Sequence, residues 1–597
     1  MCGIAGILTT ESHQDYLERF IQRMEKALLH RGPDDQGVYI APNRHCALAH
    51  TRLSILDLSQ AGHQPMSTSD GRYWISFNGE IYNFLELRSQ LEAQGEQFSS
   101  RTDTEIILKL YQRIGADCVK QLRGMFAFAI WDNLEKTCFL ARDPLGIKPL
   151  YYWHFGKTLL FASELRAVIA SGLPKINLSP QGLYSYLVSG SVPEPQTLIE
   201  GIHSLEAGHY LSWQAGNYRK SQYWEINFET ESISAIDATA KVRTALIDSI
   251  RHHFISDVPV GVFLSGGIDS TAIVALSRQT QSGELHTYSI AFEEQQWNEG
   301  DLASKVAAHF DTKHTEFKMT AKEGKALLPQ FLAAIDQPSI DGFNTFCVSQ
   351  VARKSGMKVV LSGLGGDELF GGYKSFQKVP QMVRLRSTLQ PLQPVLAGIG
   401  MGLERWGKST KIQRLGDFLQ DSPTTEAAYS SFRGIFSHRE ACQILKSYFP
   451  QSLPVRVSRI ASLTTLPTLE DEVSRLELSR YMRNQLLKDS DVMSMIWGLE
   501  LRVPFVDRAL LESIASIPSN LRLQPGKRLL TQAVPEIPEW IFNRPKQGFL
   551  FPYEQWMQTE WQEFFGEINS PSNINVKLWY RRWSLAVLQH WWRNISQ

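Results

Sequence analysis

The run Gly-Met-Phe-Ala-Phe-Ala-Ile-Trp, residues 124–131, carries no polar side chain at odd or even positions. Successive side chains of a β-strand point to opposite faces, so a strand of this composition must be covered on both sides. It therefore belongs between two layers of structure. Around it, up to about Trp224, short β-like runs alternate with glycine-rich turns. Arg72–Phe77 alternates, with Tyr73, Ile75 and Phe77 on one face, and Cys138–Tyr152 reads as strand, Asp-Pro turn, strand. Helical periodicity shows at Leu17–Leu29 and Thr104–Ile114. The sum is an α+β domain of stacked layers.

At 597 residues the chain exceeds what one hydrophobic core supports. The polar, Ser/Thr-rich and acidic stretch Asn227–Ala240 reads as a linker, dividing the chain into 2–226 and 241–597. Beyond it the pattern changes. Val258–Leu264 is a continuous apolar run that ends in a glycine loop and leads into a helix-compatible segment, Thr271–Ser277. Leu285–Phe292 and Lys358–Leu361 repeat the short buried strand, with helical stretches between them. This alternation predicts a parallel sheet flanked by helices, an α/β domain. Lys374–Leu469 is amphipathic and predicted helical, without a chemical motif.

Lysine plus arginine equals aspartate plus glutamate at 61 each, so no overall basic field steers the chain to nucleic acid or a membrane. A small-molecule substrate is the expectation. Six cysteines lie scattered without paired spacing, against a zinc site or a disulfide framework. The opening Met-Cys-Gly-Ile-Ala-Gly-Ile has no secretory pattern, and the apolar stretch Pro394–Leu403 is too short and glycine-broken to span a bilayer. A reducing cytoplasm is the expected setting.

Methionine before a small residue is commonly removed, which would make Cys2 the N-terminal residue. A free α-amine, with a pKa near ~8, can then activate the thiol directly or through water, without a His or Asp partner. Phe77-Asn78-Gly79-Glu80 follows a strand and is expected at its end, where the Asn amide and the Gly N–H can face a developing oxyanion. Arg52 can clamp a carboxylate and Asp103 can hold an ammonium. Singly, each has an ordinary alternative: an Asn-Gly turn, a surface charge, a helix N-cap. Their joint occurrence behind Cys2 is what points to chemistry. MCGIAGI, RGPDD (31–35), HTRLSI (50–55), FNGEIYN (77–83) and TDTE (102–105) resemble the glutaminase domain of class II glutamine amidotransferases, which are N-terminal nucleophile hydrolases of αββα architecture. The resemblance covers about the first third of the chain. It implies Cys2 as nucleophile, Asn78 and Gly79 as oxyanion hole, and Arg52, Ile55, Glu80 and Asp103, with Asn78 and Gly79, around glutamine.

In the second half, Val262–Ser270 (VFLSGGIDS) closes a buried strand and opens a helix, a geometry that turns backbone N–H groups and a helix dipole toward phosphate. The lysine-bearing kinase-type phosphate loop is absent. A second loop, Leu361–Tyr373 (LSGLGGDELFGGY), ends a later strand. Two Ser-Gly loops with an aspartate each, at the ends of parallel strands, can share one metal–nucleotide complex. This half resembles the synthetase domain of glutamine-hydrolysing asparagine synthetases, within the ATP-pyrophosphatase superfamily. The resemblance resumes at Gly498–Asp507 (GLELRVPFVD) and Arg544–Phe549 (RPKQGF).

It implies ATP as substrate and Mg²⁺ on Asp269 and Asp367, with Ser265, Gly266, Gly267 and Ser270 on pyrophosphate. Leu264, Ile290, Ser362 and Gly363 would frame the nucleotide, and Lys546 would neutralise charge during adenylation. The implied reaction amidates aspartate through an aspartyl adenylate, using ammonia released from glutamine; a homodimer is the implied assembly. One departure stands out: Leu364 occupies a position commonly acidic in close asparagine synthetases, so the acceptor is aspartate or another carboxylate. A β-lactam synthetase is disfavoured by Cys2, phosphosugar-type amidotransferases by the Ser265–Ser270 loop, and a non-catalytic relative by Cys2, Asn78, Asp269 and Asp367 occurring together.

Overall fold

The computed structural model describes residues 1–11, 16–294, 298–407, 409–450, 466–542, 551–566, 568, 570–571 and 574–596. The described residues of the first half form twelve strands: β1 (Gly3–Thr9), β2 (Asp35–Ile40), β3 (Cys46–Arg52), β4 (Met66–Ser67), β5 (Tyr73–Ile81), β6 (Gly124–Asp132), β7 (Thr137–Arg142), β8 (Tyr151–Phe155), β9 (Thr158–Ala162), β10 (Ile202–Ser204), β11 (His209–Gln214) and β12 (Asn217–Gln222). They form two six-stranded sheets, ordered β10-β8-β9-β1-β3-β2 and β12-β11-β7-β6-β5-β4.

Period-2 alternation explains how the sheets stack. On β6, Ala127, Ala129 and Trp131 enter the core shared with Ile4 and Leu8 of β1 and Leu48 of β3. Phe126, Phe128 and Ile130 face the other way, against Ile106, Ile107 and Leu110 of the helix Asp103–Ile114 and Leu87 and Leu91 of the helix Phe84–Ala93. On β1, Ala5 and Ile7 turn outward to Ile21 and Met24 of the helix Leu17–Lys26. Helices thus cover both outer faces, and the layers run α-β-β-α. The strand with no polar face lies at the centre of this stack.

The second half has a five-stranded parallel sheet of β13 (Val260–Phe263), β14 (His286–Phe292), β15 (Lys313–Met319), β16 (Val359–Leu361) and β17 (Glu500–Arg502). Its order is β15-β14-β13-β16-β17. From β13 the chain first builds β14 and β15 on one side, then returns to add β16 and β17 on the other. Consecutive connections therefore diverge between β13 and β16, which opens a crevice at their carboxyl ends. Lys374–Leu469 is helical over its described parts, including Ser375–Thr388, Gln393–Trp406, Thr410–Gln420 and Thr425–Arg433.

Two readings of the sequence need correction. The stretch 227–240 is not all linker: a helix, Ala235–His253, begins inside it, N-capped by the Ser234 hydroxyl accepting from Asp237 N–H at 3.1 Å. Its first turn faces water, which is why its composition resembles a loop. Asn78 and Gly79 do not lie at a strand end either, because β5 continues to Ile81, paired residue for residue with β6. Gly79 is required there. It has φ 154°, and a Cβ would lie 2.1 Å from the Met125 carbonyl oxygen.

The halves do not sit apart as beads. One apolar core runs from Met1, Ala5 and Ile7 to Val262, Val360 and Leu501. Ion pairs cross the junction at Arg123–Asp507 (2.9 Å), Lys358–Asp34 (2.7 Å) and Arg31–Asp491 (2.8 Å). Among the described residues all six cysteines are unpaired, and no helix is long and apolar enough to cross a membrane.

Candidate active sites

Cys2 precedes β1 at the centre of the first sheet and is buried. Its backbone N–H donates to Asn78 Oδ1 at 2.9 Å, and its carbonyl accepts from Arg31 Nε at 3.0 Å. The Asn78 side chain is fully buried, and its Nδ2 has no hydrogen-bond partner among the described residues. A buried amide donor left unmade is costly, unless a ligand oxygen completes it. A cavity of about 30 Å³ opens beside these groups, lined by Met1, Cys2, Arg52, Ile55, Gly79, Glu80 and Asp103. Every glutamine ligand expected from the sequence is thus in one place, Asn78 through its contact with Cys2.

Local structure sets each of these side chains. Arg52 ends β3, and the carbonyls of Ser59, Leu56 and Asp57 hold its guanidinium. Gly62 is close enough that a Cβ would strike Arg52 Nη2 at 1.9 Å. Asp103 opens the helix capped by Thr102 and accepts from Ile81 N–H at 2.9 Å. Burial raises its carboxyl to about 7; the Ile81 N–H works against this and Glu500 adds to it. Burial likewise pushes the Cys2 thiol up, only partly offset by the Met1 ammonium and by a hydrogen bond from the Leu53 backbone.

Two residues here were missed by sequence reasoning. The Met1 ammonium lies 3.0 Å from Glu500 Oε2, both groups fully buried, so β17 of the second domain reaches the neighbourhood of Cys2. Arg502 Nε donates to Glu500 Oε1 at 2.6 Å, and its Nη2 lies 3.4 Å from Glu80. Burial alone would raise the Glu500 carboxyl; the Met1 ammonium, Arg502 and Lys148 outweigh it and hold it at about 2. The sole sequence signal was that GLELRVPF places charged residues in an otherwise buried strand.

The second site lies in the crevice between β13 and β16. Gly267 N-caps the helix Ile268–Thr280, Gly266 has φ 73°, and the Ser265 and Ser270 hydroxyls are 3.2 Å apart at the turn. Leu264 and Ile290 are buried, and Leu264 N–H bonds Tyr288 O at 2.9 Å. The second loop starts where Ser362 N–H donates to the Arg502 carbonyl at 2.9 Å. The two loops touch: a Cβ on Gly363 would lie 3.0 Å from Ser270 N, and one on Gly366 would lie 2.3 Å from Asp269 Oδ1. Leu364 packs against the apolar core, and Glu368 is buried, accepting from Tyr373 Oη at 2.9 Å.

Asp269 and Asp367 converge, and among the described residues Lys527 bridges them. Its Nζ pairs with Asp269 and lies 2.5 Å from Asp367 Oδ1. Lys527 is buried and holds a left-handed φ of 55° directly after Pro525-Gly526. Nothing in the sequence around this Pro-Gly-Lys turn ties it to aspartates far upstream. The expected Lys546, with the rest of Arg544–Phe549, lies outside the described residues. An oxygen-only pair of carboxylates suits a hard divalent cation completed by phosphate oxygens. Among the described residues no cluster of three or more His, Cys, Asp or Glu side chains has metal-binding geometry.

A family model described as glutamine amidotransferase domain matches residues 1–224, and one described as asparagine synthase matches residues 241–594. The chain is 34% identical over 608 aligned residues to asparagine synthetase (glutamine-hydrolyzing) 1 of Bacillus subtilis, covering 99% of this chain and 93% of that protein. It is 36% identical to putative asparagine synthetase (glutamine-hydrolyzing) 2 of Methanocaldococcus jannaschii, covering 67% of this chain and 82% of the other. It is 27% identical to amidase chry2 of Gibberella zeae, covering 96% and 92%.

Proposed function

The chain belongs to the asparagine synthase family of glutamine-hydrolysing ligases, and on that premise we propose that it moves the amide nitrogen of glutamine to aspartate, converting ATP to AMP and pyrophosphate. The observation that carries the proposal is the junction of Cys2 with Asn78. One amide oxygen positions the nucleophile's backbone, while the amide nitrogen is buried and open to a ligand oxygen.

Removal of Met1 moves the α-amine onto Cys2 and vacates part of the cavity that Met1 lines. Cys2 Sγ then attacks the side-chain carbonyl carbon of glutamine, its proton passing to the amine. Asn78 Nδ2 and the Gly79 N–H receive the oxyanion. The C–N bond breaks, ammonia departs with the proton, and water later releases glutamate from the thioester. Arg52 faces the substrate's α-carboxylate, and Asp103 and Glu80 its ammonium.

In the second site the aspartate carboxylate attacks the α-phosphorus of ATP and pyrophosphate leaves along the Ser265–Ser270 loop. Asp269 and Asp367 would hold Mg²⁺, which when bound neutralises phosphate charge. Lys527 supplies a fixed cation between the same two loops. Ammonia attacks the acyl carbon of the aspartyl adenylate, expelling AMP. Free ammonia is mostly protonated in neutral water, so an internal passage favours the reaction. Strand β17 supports such a passage, because Glu500 faces the N-terminus and the Arg502 carbonyl anchors the nucleotide loop.

Cys2→Ala should abolish glutamine-dependent synthesis and spare ammonia-dependent synthesis; loss of both would refute this division of labour. Leu364 favours a second reading, in which the acceptor is a different carboxylate. Mass-spectrometric product identification with glutamine, MgATP and a panel of carboxylic acids separates the two, with asparagine the expected product.

A further inference from the structure

The chain's overall neutrality conceals a local asymmetry. Between residues 374 and 415 stand eight basic residues (Lys374, Lys378, Arg384, Arg386, Arg405, Lys408, Lys411, Arg414), of which Arg386 and Arg414 are buried, and one acidic residue, Glu404, with Asp417 following in the same hairpin. This segment includes the helix Gln393–Trp406, of which only Gly400 is buried. The helix pairs with Thr410–Gln420 through backbone contact: a Cβ on Gly400 would lie 2.7 Å from Gly416 O, and one on Gly416 would lie 2.6 Å from Gly400 O. Glycines fill the seam, and large apolar side chains are left outside it. Leu392, Val395, Ile399 and Trp406 recur at helical spacing on one face, and Met401 and Ile412 add to the exposed apolar surface. These six side chains are 40–75% exposed, Trp406 most of all. Exposed Arg405 and Lys411 accompany them, and the Arg405 guanidinium sits 5.8 Å from the Trp406 ring centroid.

An apolar stripe of this kind in water marks a docking surface, and its charge selects the occupant. A second copy of the chain would meet it through a two-fold axis, setting the same basic patch against itself. A polyanion without an apolar layer would leave the leucine, isoleucine and tryptophan side chains wet. Anionic lipid satisfies both features, since headgroups meet the lysines and arginines while Trp, Ile and Val enter the headgroup–acyl boundary. At 14 residues the helix is about 21 Å long, too short to cross a bilayer and long enough to lie in its plane.

We propose that the hairpin Gln393–Gln420 is a monotopic docking element that seats the enzyme on an anionic lipid bilayer. The test is flotation of the full chain with phosphatidylcholine vesicles, with and without phosphatidylglycerol, at low and high salt. Co-flotation is expected with the anionic vesicles only, weakened by salt. Ile399→Ser with Trp406→Ser should lower the bound fraction about tenfold or more, with glutaminase activity unchanged as the check on folding. Arg405→Gln with Lys411→Gln should lower it as well. Absence of flotation, equal binding to both vesicle types, or serine variants that float like the parent would overturn the proposal. So would a dimer in sedimentation that the serine variants dissociate without any vesicle binding, since the face would then be a self-interface.

Discussion

Arg31 Nη2 lies 2.8 Å from Asp491 Oδ2, a buried contact between residues 460 positions apart. The same guanidinium donates through Nε to the carbonyl of Cys2 and through Nη1 to Glu164 at 2.7 Å. Lys148 Nζ adds a second cation, 3.2 Å from Asp491 Oδ1. The backbone of Cys2 is therefore held by an arginine whose own orientation depends on the other domain. Burial disfavours the charged guanidinium, but Asp491 and Glu164 more than compensate and raise its pKa.

Asp491→Ala leaves Arg31 and Lys148 short of a buried counter-charge. Removing one partner of such a pair typically costs about 3–5 kcal/mol. A lower thermal midpoint is expected in calorimetry, together with a fall in glutaminase activity larger than the fall in ammonia-dependent synthesis. A variant with both unchanged would show the contact to be inert.

Met1 ties up the amine and lines the glutamine cavity, so protein that retains it should hydrolyse no glutamine. Preparing the enzyme with methionine aminopeptidase inhibited, and confirming the retained residue by intact mass, provides the material. Ammonia-dependent synthesis should persist in it. Glutaminase activity at the level of processed enzyme would refute the N-terminal nucleophile.

Asp103 must be ionised to bind an ammonium, and burial sets its carboxyl at about 7. Below that pH the protonated form accumulates, so KM for glutamine should rise as pH falls, by up to about tenfold per unit. Above it KM should level off. Asp103→Asn should raise KM and flatten the profile, measured as glutamate release with ammonia supply irrelevant.

Lys527 joins both aspartates of the nucleotide crevice. Lys527→Ala should lower aspartate-dependent pyrophosphate release by about 10²-fold or more while basal glutaminase turnover survives. Lys527→Arg keeps the charge but not the compact head, and partial recovery is expected. Equal loss at both sites would mean the lysine serves the fold.

Glutamine hydrolysis was legible because its residues form short motifs, and the layered architecture because side-chain alternation is local. Asn78-Gly79 was placed at a strand end because the apolar alternation of Arg72–Phe77 stops there; the nine-residue ladder with β6 carries the strand through it. The capped helix at Ala235 hid behind a solvent-facing polar turn.

By itself the sequence determined the two domain types and singled out Cys2, the two Ser-Gly loops and the aspartates Asp269 and Asp367. Only tertiary structure decided that Glu500 reaches the N-terminus, that Asp491 orients Arg31 and that Lys527 stands between Asp269 and Asp367. A motif is written in neighbouring residues, whose backbone geometry is set within a few peptide units. A buried ion pair joins residues hundreds of positions apart and leaves no periodicity behind. Its partners are chosen by desolvation, which exists only once the two domains have closed over them.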